Sequence, residues 1–142
     1  MPGYRFLEHT ADAGVEIEAP NRTEIFRLAL RALTDCLTVL DAVEAVEEES
    51  ILLRGDGLDL LLVDFLQELL FRFEVRGFLA SDAQLRLRQG DNGRFELAGV
   101  IRGEPFEAKR HAVKLPIKAV TYHELAFEPV RDGFFARVIF DV

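Results

Sequence analysis

Apolar and polar positions follow a period of two near both ends of the chain and three- and four-residue steps between them. The run Tyr4-Arg5-Phe6-Leu7-Glu8 predicts a first strand over residues 4–9. Val15 and Ile17 alternate with Glu16 and Glu18, which predicts a half-buried strand over 14–19. Pro20 ends it. Asn21 is a capping residue, and Glu24 stands three positions on, the spacing of a capping box. Ile25, Ala29, Leu33, Cys36, Leu37 and Leu40 then fall on one face of a helix that reaches about residue 40. An acidic loop, Glu44 to Glu49, leads to a short strand over Ser50 to Arg54, and Gly55-Asp56-Gly57 breaks the chain. Leu58, Leu61, Leu62, Phe65, Leu66, Leu69, Leu70 and Phe73 give a second helix a broad apolar face. Asp64, Glu68 and Arg72 repeat every four residues on its other side, the pattern of a solvated face.

Beyond Gly77 the texture is that of strands. Residues 83–88 alternate, Gly90-Asp91-Asn92-Gly93 is a hairpin-type turn, and Phe95 to Arg102 returns. Phe106 to Lys114 is weakly patterned and holds His111; Lys118 to Glu128 is extended; Arg131-Asp132-Gly133 turns the chain, and Phe134 to Val142 is a last strand. The expected fold is a single α+β domain over residues 1–142, with two helices packed on one face of a largely antiparallel (mixed) sheet.

Composition agrees with a soluble globular protein: 49% hydrophobic and 30% charged residues exclude disorder. Of the aromatic residues 12 are Phe, against 2 Tyr and no Trp, so most rings belong in the core. No apolar run reaches the length of a membrane span, and no basic stretch followed by an apolar one opens the sequence, so the expected location is cytoplasmic, with no membrane partner. Cys36 is the single cysteine, which excludes an internal disulfide and a cysteine-cluster metal site.

The net charge of -8 argues against the chain holding nucleic acid by itself. The charge is uneven. Residues 1–71 carry 15 acids and 5 bases, a balance of -10, and residues 72–142 carry 10 acids and 12 bases, a balance of +2. That asymmetry suits a basic protein partner on the N-terminal half, and equally a surface that keeps the protein in solution.

No phosphate loop, dinucleotide fingerprint, serine elbow or histidine pair at metal spacing occurs. The stretch that concentrates chemistry is His9-Thr10-Ala11-Asp12, an imidazole, a hydroxyl and a carboxylate in four residues between two predicted strands. A connection that short presents its groups in a direction set by the sheet. If the last strand runs beside the first, Asp141 and the α-carboxylate of Val142 approach Asp12. Three converging carboxylates repel unless a cation lies between them. Taken singly, Asp12 and Asp141 are ordinary strand-end charges, and His111 and His123 are ordinary satisfied histidines.

Four motifs carry a resemblance across the chain: His9-Thr10-Ala11-Asp12, the helix Leu60 to Leu70, the run Ile117-Lys118-Ala119-Val120-Thr121-Tyr122-His123, and the ending Val138-Ile139-Phe140-Asp141-Val142. In order and spacing the chain resembles the archease family from residue 4 to residue 142. The resemblance implies a non-enzymatic accessory factor for an RtcB-type RNA ligase, one that promotes guanylylation of the ligase's active-site histidine and so allows multiple turnover in tRNA ligation or RNA repair. It also implies a bound divalent ion, calcium, with Asp12, Asp141 and Val142 as ligands in the matching positions. RNA and GTP would meet the protein only through the ligase.

Three carboxylates supply at most six oxygens, whereas calcium accepts roughly six to eight, leaving room for water or a partner group; magnesium fits a water-rich version of the same site. His9 shares the turn with Asp12. Lys118 and Thr121 lie in the motif strand as candidates to line the site, though a strand charge and a cross-strand hydroxyl account for them equally well. Two other functions stay open at this point: a chaperone-like modulator of RNA-modifying enzymes, and a small metal-dependent phosphohydrolase using ion-activated water. The acids have no accompanying general base or phosphate loop.

Overall fold

The computed structural model describes the backbone of residues 2–8 and 12–142 and the side chains of these except Glu8 and Asp12. In chain order the elements are β1 (Gly3–Glu8), β2 (Asp12–Ala19), α1 (Arg22–Leu37), a 3-10 turn (Leu40–Ala42), β3 (Glu47–Gly55), α2 (Leu58–Arg76), β4 (Phe78–Gln89), β5 (Phe95–Pro105), β6 (Ala119–Val120), β7 (Ala126–Val130) and β8 (Gly133–Asp141). No described helix is long and apolar enough to cross a membrane.

The start of α1 follows its sequence signal. The Asn21 side chain accepts the amide of Glu24 at 2.9 Å, as an N-cap should. The Glu24 carboxylate does not reach back to close the box; it pairs with Arg27 one turn on. α1 stops at Leu37, and Leu40 belongs to the following 3-10 turn. α2 runs to Arg76, a turn beyond the end of its apolar face, because the terminator is Gly77. That residue adopts φ 69, and its amide donates to the Phe73 carbonyl, the left-handed cap that glycine allows without steric cost.

The α+β class and the antiparallel pairing are as the sequence predicts. The strands, however, divide into two sheets rather than one. The larger runs β1-β2-β8-β6, with β7 also paired to β8, and the smaller runs β3-β5-β4; all the pairings are antiparallel. The reason lies in α1. Ile25, Phe26, Ala29, Leu30, Ala32 and Leu33 are all at most 1% exposed and cover a wide arc of the helix. Such an arc needs cover on more than one side, and α1 and α2 each touch strands of both sheets.

Val15, Ile17, Ala136, Val138 and Phe140 from the larger sheet join Ile51, Leu97 and Ile101 from the smaller one in a single core. Phe26 meets Phe65 of α2 edge-on at 5.8 Å and Phe127 of β7 at 5.7 Å. Burying one such ring contributes up to about 3 kcal/mol. The β4–β5 register shifts between Ala80 and Asp82. At that irregularity the Thr34 hydroxyl donates to the Ala80 carbonyl, Arg31 donates to the Ser81 carbonyl, and Arg27 grips the Asp82 carboxylate through two nitrogens, locking α1 to the smaller sheet.

Candidate functional site

β2, β8 and β6 lie side by side, and their register decides which residues meet. Asp12 opens β2 and is the cross-strand partner of Asp141. Asp141 is in turn the partner of Ala119 in β6, and the Lys118 amide donates to the Asp141 carbonyl at 2.7 Å. The last strand does not run beside the first, where it was expected, but beside β2, and this pairing is what sets Asp141 opposite Asp12. Two of the three carboxylate residues predicted to converge share one rung of the ladder. The third, Val142, is half-buried and packs against the core.

Alternation explains why acids stand on this rung. Ala13, Val15 and Ile17 pair with Phe140, Val138 and Ala136, and most of these side chains enter the core. The register positions between them belong to the opposite face. Along that face Glu16 is paired with Arg137, and Arg5 also binds Glu16. Four rungs away, with the uncharged Gly14–Ile139 pair between them on that face, Asp12 is opposite Asp141, a like-charged pair. Like charges directly opposite one another destabilise a ladder. Oxygen donors of this kind suit a hard cation. Among the described residues no three His, Cys, Asp or Glu side chains gather into a metal-binding cluster; the side chain of Asp12 is not among those described.

The remaining candidates fall into different settings. His9, with Thr10 and Ala11, lies outside the described residues. Lys118 is exposed and directly adjoins the Asp141 rung. The Thr121 hydroxyl donates to the Ile139 carbonyl at 2.9 Å and accepts the His123 amide at 3.2 Å. It is thus engaged in fastening the chain after β6 to β8. His123 is exposed beside Glu124.

One polar cluster went unread in the sequence. The segment between β5 and β6, residues 106–118, is anchored by Glu104 and His111, whose side chains are 3% and 0% exposed. Glu104 Oε2 accepts from His111 Nε2 at 2.9 Å and from the Glu44 amide at 2.8 Å; Oε1 accepts from Arg110 at 2.7 Å. His111 Nδ1 accepts the Glu107 amide at 2.8 Å, so the ring proton sits on Nε2. Arg110, helped by the Glu44 amide and His111, holds the Glu104 carboxyl at about 2 despite its burial. The sequence signal was weak because these residues follow no hydrophobic period. Farther along, Lys114 donates its amide to the Leu37 carbonyl and its ammonium to the Asp35 carbonyl, supplying a cation to a helix end that has no basic residue of its own.

Between this segment and β1 lies a cavity of about 190 Å³. Phe6, Leu7, Ala13, Cys36 and Leu115 line it, with Asp35 and Lys114 at its polar side. Cys36 is buried, as its place on the apolar helix face predicts, and burial pushes its thiol up to about 12, which makes it inert as a nucleophile.

The family model described as "Archease protein family (MTH1598/TM1083)" matches residues 4–142. "Protein archease" of Methanopyrus kandleri is 38% identical over 136 residues, covering 96% of each chain. "Protein archease" of Pyrococcus furiosus is 32% identical over 143 residues, covering 100% of each. The solution structure of Methanobacterium thermoautotrophicum protein 1598 superposes with a TM-score of 0.83 at 29% identity, again over 100% of both chains. With the family model, the full-length relatives and the shared architecture in agreement, this chain belongs to the archease family.

Proposed function

We propose that this protein is a non-catalytic activator of an RtcB-type RNA ligase, promoting guanylylation of the ligase and hence repeated turnover in tRNA ligation or RNA repair. A divalent cation, calcium or in a wetter version magnesium, is held between Asp12, Asp141 and the carboxylate of Val142, with His9 and Lys118 at its margin. The observation that carries this reading is the placement of Asp12 opposite Asp141 on adjacent strands. A like-charged rung is an unfavourable arrangement that a cation relieves. Lys118, just before β6, adds a positive charge where a nucleotide phosphate would approach.

The division of labour follows from charge. A chain of net charge -8 is poorly equipped to hold RNA or GTP alone. On a partner it lowers a barrier by supplying preorganised charge beside a transferring phosphoryl group. The ligase owns the covalent chemistry.

The decisive experiment is multiple-turnover RNA ligation by an RtcB-type ligase with and without the protein. Stimulation beyond one turnover supports the reading. Nucleotide hydrolysis by the protein alone would replace it with the phosphohydrolase.

A further inference from the structure

We infer that the cavity between β1 and the 106–118 segment is the docking socket for one apolar side chain of the protein partner, carried on a segment with basic residues beside it. The inference rests on the ligase-activator reading for the identity of the partner.

The socket's dimensions and lining argue for such an occupant. At about 190 Å³ it falls below the range of roughly 300–1,000 Å³ usual for small-molecule sites, yet suits a single leucine-, methionine- or phenylalanine-sized group. Phe6, Leu7, Ala13 and Leu115 offer apolar surface. Phe6 is 47% exposed although its partner in the ladder, Val15, is fully buried. Its ring is held edge-on against Tyr4 at 5.6 Å, so it is positioned before any partner arrives. The two charged lining residues are already engaged. Asp35 accepts from the Tyr4 hydroxyl, the Leu40 amide and Lys114. A satisfied polar rim around an apolar floor is the anatomy of an interface hot spot, where an anchor fills the centre and the rim excludes water.

Charge complementarity gives the flanks of that anchor. Leu7 is followed in the chain by Glu8, and Asp41 stands exposed in the 3-10 turn just past α1. The half of the chain that supplies most of the lining has a balance of -10. Basic residues beside the anchor would be steered toward it. Ala13 follows Asp12 in β2, so a partner seated here lies beside the Asp12–Asp141 rung.

The test is equilibrium binding of an RtcB-type ligase to the immobilised protein, with stimulation of ligation measured on the same variants. Phe6→Ala removes part of the wall, and Ala13→Met fills the space from a half-buried position. Both should weaken binding at least tenfold, while Phe71→Ala, at an exposed apolar position of α2, stays within twofold of the parent. Circular dichroism establishes that each variant is folded. Equal binding of the parent and both socket variants overturns the socket and leaves the activator reading standing. A parent that neither binds nor stimulates the ligase overturns both.

Discussion

Asp12 and Asp141 are cross-strand partners where β2 begins and β8 ends, four rungs from the oppositely charged pair Glu16 and Arg137. If a cation compensates that rung, it binds the folded chain and not the unfolded one. Calcium at about 100 times its dissociation constant should then add roughly 2.7 kcal/mol to stability. The expected result is a calcium-dependent rise in melting temperature for the parent and none for Asp141→Ala. A rise of the same size in the variant would place the ion elsewhere.

The strands at both ends of the chain were legible because alternation sets which residues turn inward. The two helices were legible for the same reason. The pairing of those strands was not: nothing in residues 134–142 decides that they lie along β2 rather than β1, so Asp12 opposite Asp141 was an expectation that depended on the pairing. Nor were other features legible. Gly77, not the last apolar residue, ends α2. The acidic run 44–49 reads as a solvated loop, yet Glu47 to Glu49 begin β3, and Glu49 binds both Arg72 and Arg76. Arg72, expected on a solvated face, is only 13% exposed for that reason. Period counting places residues on faces but does not foresee which distant charge will cover them. Nor could it foresee two sheets, since the pattern of α1 names one buried face while its burial extends beyond it.

That difference separates two neighbouring glutamates. Glu49 ties β3 to the last turns of α2 through two arginines, whereas Glu48 makes a surface pair with Arg102 at 55% side-chain exposure. Glu49→Ala should cost about 1 kcal/mol in chemical denaturation, and Glu48→Ala no more than about 0.5 kcal/mol. Equal losses would show that the α2 contacts contribute no more than the surface pair.

The Glu104 cluster gives stability a defined dependence on pH. Its carboxyl is lowered from an ordinary value of 4.5 to about 2 in the folded chain. A depressed folded value means that the stabilisation is fully present above about 4.5 and is lost as pH falls toward 2. Allowing for screening at the part-exposed Arg110, its size is roughly 2 kcal/mol. The parent should therefore lose more stability than Glu104→Gln between pH 5 and pH 2, and the variant should be the less stable of the two at pH 7. Parallel pH profiles would mean that the carboxylate is not the group that titrates.

The sharpest division is between residues that act on the partner and residues that keep the fold. Asp141 is exposed at the end of its strand, and Lys118 is exposed beside it, so replacing either removes charge without opening the core. Asp12 stands on the same rung. Phe26, with no exposure and two aromatic neighbours, is the opposite case, and Phe26→Ala should cost about 3–5 kcal/mol. If ligase activation depends on the charge at the Asp12–Asp141 rung, then Asp12→Ala and Asp141→Ala should keep the parent's circular dichroism and still lose stimulation of ligase-GMP formation, while Lys118→Ala should reduce it less. Phe26→Ala should lose stimulation only in proportion to its unfolded fraction. The measurement is ligase-GMP formation over time with each variant, in calcium and again in magnesium. Folded Asp12→Ala and Asp141→Ala proteins that stimulate like the parent would make the rung a structural feature, and the activating surface would then have to be sought away from it.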